Sequence, residues 1–259
     1  MILQKLAGLQ PNQDISQNDG MYWGNGRHYF GVGRSAALAL WTALSARLQY
    51  AGGEAEPRIM LDFGCGHGRV ARYIRAQFPQ ARVEVTDLNR DGVAWCVEHL
   101  GCHDAGNEIP SGRYDLVWVG SVFTHLPEHT ALDLLARLKL SLRPYGVLLY
   151  TTQGRLSAAT LETYVSGNGA PINAGLGLQR DAAAEVLADF LSRHFGFRAY
   201  AHRHDYGIAV GRLEWWSKKT CDDATIQLLA QEGGWDTHQD ILAFMRVPGL
   251  LQLQTGVDF

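Results

Sequence analysis

The residues best suited to chemistry lie between Ile59 and Asp87. The stretch Ile59–Arg69, IMLDFGCGHGR, runs a short apolar segment directly into Asp62, Gly64, Cys65, Gly66 and Gly68. Glycines let the backbone turn sharply and let a ligand lie against it with no Cβ in the way. A second acid, Asp87, follows the β-branched run Arg82–Thr86, where a carboxylate can accept two hydrogen bonds from a ribose diol. Strand, glycine loop, helix, strand and acid in that order are the parts of a nucleotide site, and together they say far more than glycines serving a tight turn. A GxGxxG loop counted from Gly64 would need its third glycine at Arg69, and a pyrophosphate would be repelled by Asp62. S-adenosylmethionine (SAM) carries an ammonium, a sulfonium and a carboxylate but no phosphate, so an acid beside the glycines suits it better. SAM is the expected cofactor, with NAD the less fitting alternative.

These residues need a scaffold, and the surrounding pattern supplies one. Runs at 58–63, 82–86, 114–119 and 145–152 read as strands, and helical patterns at 69–78, 90–100 and 127–142 follow the first three. That rhythm predicts a Rossmann-like α/β fold: a seven-stranded, mostly parallel sheet with right-handed crossovers and an antiparallel C-terminal strand. Residues 1–55 are expected to form an aromatic, glycine-rich arm and a helix from Arg34, with Ala37, Trp41, Leu44 and Leu48 on one face. Residues 56–152 form the cofactor core. Residues 153–212, loop-like to 180 and then helical over 181–194, are expected to be an inserted lid. Residues 213–259 return to the sheet through an antiparallel pair, 224–231 and 239–247, joined by EGGWDTH.

At this point the chain resembles the class I SAM-dependent methyltransferases. DFGCGHGR is similar to that family's first motif, and TDLN to its acidic second motif. YDLVWVGSVFTHLPE resembles the fourth-strand motif and LRPYGVLLYTT the fifth, with Tyr145 standing where a second glycine is usual. The ending GWDTHQDILAFMR resembles the terminal strand of a subgroup found beside glycosyltransferases in bacterial surface-glycan gene clusters. The resemblance implies that Asp62, Gly64, Cys65, Gly66 and Gly68 cradle the cofactor, that Asp87 holds its ribose and that Leu88 packs on its adenine. Gly120 and Ser121 would face the amino-acid portion and the reacting methyl. Arg34 or Arg27 would pair with the methionine carboxylate or stand as a solvated charge. The third-strand region, 102–110, is short, which leaves Asp104 and Asn107 both open as the adenine contact.

Methyl transfer to an alcohol calls for a base within hydrogen-bond reach. His125, just after the fourth strand, is the candidate, and its other reading is to cap the helix that opens at Pro127. His238, Tyr206 and Trp215 are candidate acceptor contacts, since aromatic faces pack on the C–H faces of sugars. The groups His202, His204, Asp205 and Cys96, His99, Cys102, His103 lack a third ligand at proper spacing, so no metal is expected. Across 259 residues, 23 Lys and Arg against 26 Asp and Glu give a net charge of -3, and no [DN]PP[YFW] follows the fourth strand. A nucleic-acid acceptor is therefore not expected. No run approaches a membrane span, the start is a poor secretory signal, and the four cysteines form no CxxC pair, which fits the cytoplasm. The expected function is methyl transfer from SAM to a hydroxyl of a sugar, glycan or related small molecule. Two alternatives stand beside it, a non-sugar metabolite as acceptor and a SAM-binding regulator without turnover. Oligomeric state is not legible.

Overall fold

The computed structural model describes residues 8–51, 56–169, 178–201 and 203–248. Five parallel strands form, four of them largely buried: β1 (Ile59–Phe63), β2 (Arg82–Thr86), the short, exposed β3 (His103–Asp104), β4 (Tyr114–Val119) and β5 (Leu142–Gln153). Between and before them come helices α1 (Gly26–Ala51), α2 (Ala71–Gln77), α3 (Arg90–Leu100) and α4 (Glu128–Ser141). After β5 follow α5 (Arg155–Val165), α6 (Arg180–Arg193), β6 (Phe195–Ala199), β7 (Gly207–Gly211) and α7 (Leu213–Thr220). The long hairpin β8 (Thr225–Trp235) and β9 (Gln239–Arg246) ends the described chain. The sheet order is β3-β2-β1-β4-β5-β9-β8, with β9 antiparallel to both β5 and β8. This is the Rossmann-like arrangement expected of the sequence.

Strands buried on both faces read as continuous apolar runs, and alternate residues enter two cores. Met60, Val83, Leu116, Trp118 and Leu149 pack under α1, α2 and α3. Leu61, Val117, Tyr150, Leu242 and Phe244 pack on the other face with Phe123, α4, α7 and the β6–β7 hairpin. A third, smaller cluster belongs to the segment after β5: Ala158 and Leu161 of α5 meet Val186 and Phe190 of α6 and Ile208 and Val210 of β7.

Three local expectations change. Helix α1 begins at Gly26, eight residues before the expected start, and buries Val32, Ala36, Leu40 and Ala43 as well as Ala37 and Leu44. Gly31 and Gly33 weaken the helical signal there, yet Gly33 is required. A Cβ on it would lie 2.4 Å from the Arg69 carbonyl and 2.6 Å from the Tyr73 ring, so the glycine lets α1 press onto the start of α2. Residues 155–165 are helical, not loop, because RLSAATLETYV between the flanking glycines buries Ser157, Ala158 and Leu161 on one face. Strand β8 runs on to Trp235, since Trp235 is drawn into the core against Trp118.

Candidate cofactor and acceptor site

The loop after β1 folds back on the end of β2: Gly64 N–H donates to the Thr86 carbonyl at 2.8 Å and Gly68 N–H to the Cys65 carbonyl at 2.9 Å. All three loop glycines have positive φ, but they serve different ends. A Cβ on Gly64 would strike Val122 at 2.5 Å, and one on Gly68 would strike Leu100 at 2.4 Å, so these two allow close packing. Only a Cβ on Gly66 would meet open space, which marks Gly66 as the surface a ligand can lie on. Gly92, not singled out from sequence, lets the first turn of α3 rest on that loop, for its Cβ would meet the Gly66 carbonyl at 2.3 Å. Cys65 turns its thiol inward against Cys96, so only its backbone belongs to the loop's outer surface.

Two acids flank the loop. Asp87 receives Gly66 N–H at 2.8 Å on one oxygen and Asn89 N–H at 2.7 Å on the other. Beside it, Leu88 is fully exposed, an apolar side chain that nothing among the described residues covers. Asp62 is buried, and its Oδ2 has no hydrogen-bond partner among the described residues. Burial, and then the nearby Asp87, push its carboxyl up to about 7. Nearby stands Arg69, also buried, its guanidinium 5.3 Å from the Trp235 ring centroid and 3.8 Å from Asp236 Oδ2. It makes no hydrogen bond among the described residues. A buried carboxylate oxygen with no donor among the described residues, near a buried guanidinium whose long ion pair with Asp236 leaves its N–H groups without a hydrogen bond there, suits a zwitterion's ammonium and carboxylate. Arg27 and Arg34 do not share this place. Both are exposed on α1 and line a separate cleft of about 330 Å³ with Phe30 and Tyr73.

The N-terminal arm is tied to this loop. Arg72 is almost fully buried and donates to the carbonyls of Gly68, His67, Asn12 and Asp14 and to the Tyr29 hydroxyl. Asn18 and His67 both reach Asp91 at 3.0 Å, joining arm, loop and α3. Nothing in the spacing of these residues announces the contacts, because they join segments far apart in the chain.

Beyond β4, Gly120 fits closely between Trp118 and Trp235. Ser121 takes a positive φ of 58° and is held in a ring of hydrogen bonds. Its N–H donates to Thr151 Oγ1 at 2.8 Å, that hydroxyl donates to Gln239 Oε1 at 2.7 Å, and Gln239 Nε2 donates to Ser121 Oγ at 2.7 Å. Thr151 and Gln239 come from β5 and β9, and their part is invisible in sequence. On the other sheet face, His125 ends a single 3₁₀ turn, Phe123–His125. Its Nδ1 lies 2.8 Å from the Gly207 carbonyl of β7, and a carbonyl only accepts, so Nδ1 carries the proton and Nε2 is left as the basic nitrogen. Tyr206 stacks on the imidazole at 4.6 Å, and burial holds the ring's pKa below its ordinary value. The neutral form is therefore the resident one near pH 7.

Of the candidate acceptor contacts, the structure thus brings Tyr206 to His125. His238 lies in the β8–β9 turn, its Nδ1 donating to the Asp236 carbonyl, next to Gln239. Trp215 is not part of this group. It stacks on Phe195 at 4.6 Å, at the far end of the β6–β7 hairpin from Gly207, and is engaged in packing. Asp104 pairs with Arg90 and also accepts from Gly106 N–H. His202 lies outside the described residues, and His204 and Asp205 are exposed. Among the described residues no helix is long and apolar enough to cross a membrane.

Comparison with known proteins points to one family. A family model described as a methyltransferase domain matches residues 36–204, well over half the chain. Malonyl-[acyl-carrier protein] O-methyltransferase of Halalkalibacterium halodurans is 32% identical over 111 residues, 38% of this chain and 40% of that protein. Trans-aconitate 2-methyltransferase of Rhodopseudomonas palustris is 33% identical over 98 residues, 36% of this chain and 38% of that protein. The matched part therefore spans about two fifths of these relatives' length. In fold, the chain is similar to the plantazolicin methyltransferase BpumL, solved with a desmethyl analogue and S-adenosylhomocysteine (SAH), with TM-score 0.53, 11% identity, and 83% and 86% of the two chains covered. It is also similar to the Burkholderia thailandensis 1,6-didemethyltoxoflavin-N1-methyltransferase, likewise solved with SAH, with TM-score 0.50, 16% identity, and 92% and 94% covered. The chain belongs to the class I SAM-dependent methyltransferases, whose cofactor is SAM.

Proposed function

We propose that this protein transfers a methyl group from SAM to a hydroxyl of a small polar acceptor, in the finer reading a sugar or glycan intermediate. When bound, SAM supplies an activated methyl group with a neutral thioether as leaving group, so the protein's share is alignment, exclusion of water and proton removal. Asp62 would hold the cofactor's ammonium and Arg69 its carboxylate. Asp87 would receive the ribose hydroxyls, Leu88 would lie under the adenine, and Gly66, Gly120 and Ser121 would line the bed between them. The first two assignments are supported by the unpartnered Asp62 oxygen and by the buried Arg69, held by Asp236 only at 3.8 Å.

The observation that carries the reaction is the fixed tautomer of His125. With Nδ1 committed to Gly207, Nε2 is free to accept a proton from the acceptor hydroxyl, and the lowered pKa keeps it unprotonated near neutrality. The half-buried Tyr206 and His238 would then flank the acceptor. The sugar reading is supported by the C-terminal resemblance and by the aromatic surface at His125. The test uses labelled SAM with a panel of free sugars and an extract of polar metabolites. His125→Ala should lower turnover about 10²–10⁴-fold while SAH affinity stays within about twofold. Loss of cofactor binding would make His125 structural, and no label on any acceptor would favour a SAM-binding protein without turnover.

A further inference from the structure

The face of the sheet that carries His125 also carries three polar groups that nothing described so far uses. Thr152 Oγ1, Ser157 Oγ and Asp240 Oδ2 are shut off from solvent and have no hydrogen-bond partner among the described residues. Thr152 and Asp240 are wholly buried, and Ser157 is 2% exposed. Buried polar atoms are nearly always paired, so three together call for an explanation.

Two of them are neighbours by construction, and the third lies one helical turn from the glycine that Asp240 faces. Thr152 of β5 and Asp240 of β9 are register partners in the antiparallel ladder. By strand alternation, Asp240 shares its face with Leu242 and Phe244, which belong to the core that contains Phe123 of the His125 turn. Asp240 is anchored by one oxygen, which accepts Gly233 N–H at 3.0 Å. Its free oxygen stands 2.0 Å from where a Cβ on Gly154 would be, so only glycine fits there and the carboxylate faces the start of α5. Gly154 is the N-cap of α5 and no side chain among the described residues caps that helix; Ser157 lies in its first turn. Strand β5, the His125 turn and β7 adjoin on this same face, which makes the three atoms part of the region beneath the segment that also orients His125.

We infer that Thr152, Ser157 and Asp240 form a subsite for a second hydroxyl of the acceptor, one that donates to Asp240 and accepts from the two side-chain hydroxyls. This rests on the hydroxyl-acceptor reading above. The chemistry selects a neutral hydroxyl. A carboxylate with a free oxygen repels an anionic group, and the neighbouring cation, Arg155, is already bidentate with Glu232 at 2.6 and 2.7 Å. That ion pair ties the first turn of α5 to β8.

The test uses the full chain with Thr152→Val, Ser157→Ala and Asp240→Asn. For any monosaccharide that turns over, the subsite predicts a KM higher by roughly tenfold to a hundredfold, with SAH affinity unchanged. In wild type, one deoxy analogue of that sugar should show the same loss, and the variants should add little to it. If Thr152→Val and Ser157→Ala keep KM and melt at or above the wild-type temperature, the atoms are merely unpaired and the inference falls. A crystal of the SAH complex soaked in glycerol reads the subsite without turnover. A glycerol hydroxyl on Asp240 and Ser157 supports it, whereas a bound water only, or an adventitious additive elsewhere, overturns it. Failure of every sugar to accept a methyl group would instead sink the hydroxyl-acceptor reading, and the soak would still decide the subsite.

Discussion

Asp62→Asn separates what the buried acid costs from what it does. Burial and Asp87 raise the Asp62 carboxyl from 3.8 to about 7. The folded protein therefore binds this proton more tightly than the unfolded chain, and stability present below about pH 4 is lost as pH rises through 7. The shift is about three pH units, each worth about 1.4 kcal/mol, so ionised Asp62 destabilises the ligand-free fold by roughly 4 kcal/mol at most. If Asp62 must be ionised to hold the cofactor's ammonium, SAH affinity should be roughly tenfold weaker at pH 6 than at pH 8, and binding at pH 7 should release about half a proton. Asn keeps the shape and removes the charge. The variant should melt higher than wild type at pH 8, bind SAH about 10–100-fold more weakly there, and lose the pH dependence. Calorimetry from pH 5.5 to 8.5 in two buffers of different ionisation enthalpy measures both terms. A flat wild-type affinity, or an Asn variant that binds as wild type at pH 8, would refute the assignment.

Further outcomes follow from the same geometry. Since burial lowers the His125 pKa, turnover should fall only as pH drops below that histidine's ordinary 6.5, and the His125→Ala remnant should lack this acid limb in a kcat profile. Arg72→Leu removes the side-chain donor of four carbonyls, only one of which (Gly68) keeps the backbone N–H of residue 72, and frees the arm, so it should cost about 3–5 kcal/mol. At about 2–4 °C per kcal/mol, that is a melting point lower by about 10 °C, with earlier proteolysis before residue 26. Gln239→Glu keeps the size but replaces the amide donor to Ser121 with an acceptor. It should raise the SAM KM several-fold, and Gln239→Asn should not rescue it because the shorter side chain spans less of the ring. Equal SAM kinetics in wild type and Gln239→Glu would show that the ring does not position Ser121.

What the sequence determined by itself was the local order of things. The alternation of β-branched runs with helical patterns defined the parallel sheet, and glycines and acids at strand ends marked Asp62, Gly66 and Asp87, because backbone turns and strand termini depend on neighbours in the chain. The start of α1 and the helix at 155–165 escaped that reading, since glycines needed for close packing look like breakers until the partner helix is known. Which way a side chain faces was decided only in three dimensions. Cys65 turns into the core, Trp215 stacks on Phe195, and Arg69 rather than Arg27 or Arg34 stands beside Asp62. Gln239 reaches Ser121 across 118 positions, and the Gly207 carbonyl fixes the tautomer of His125 across 82. Such contacts arise where distant segments share one buried volume, and hydrogen-bonding direction there is set by the partner the fold delivers, which no local spacing encodes.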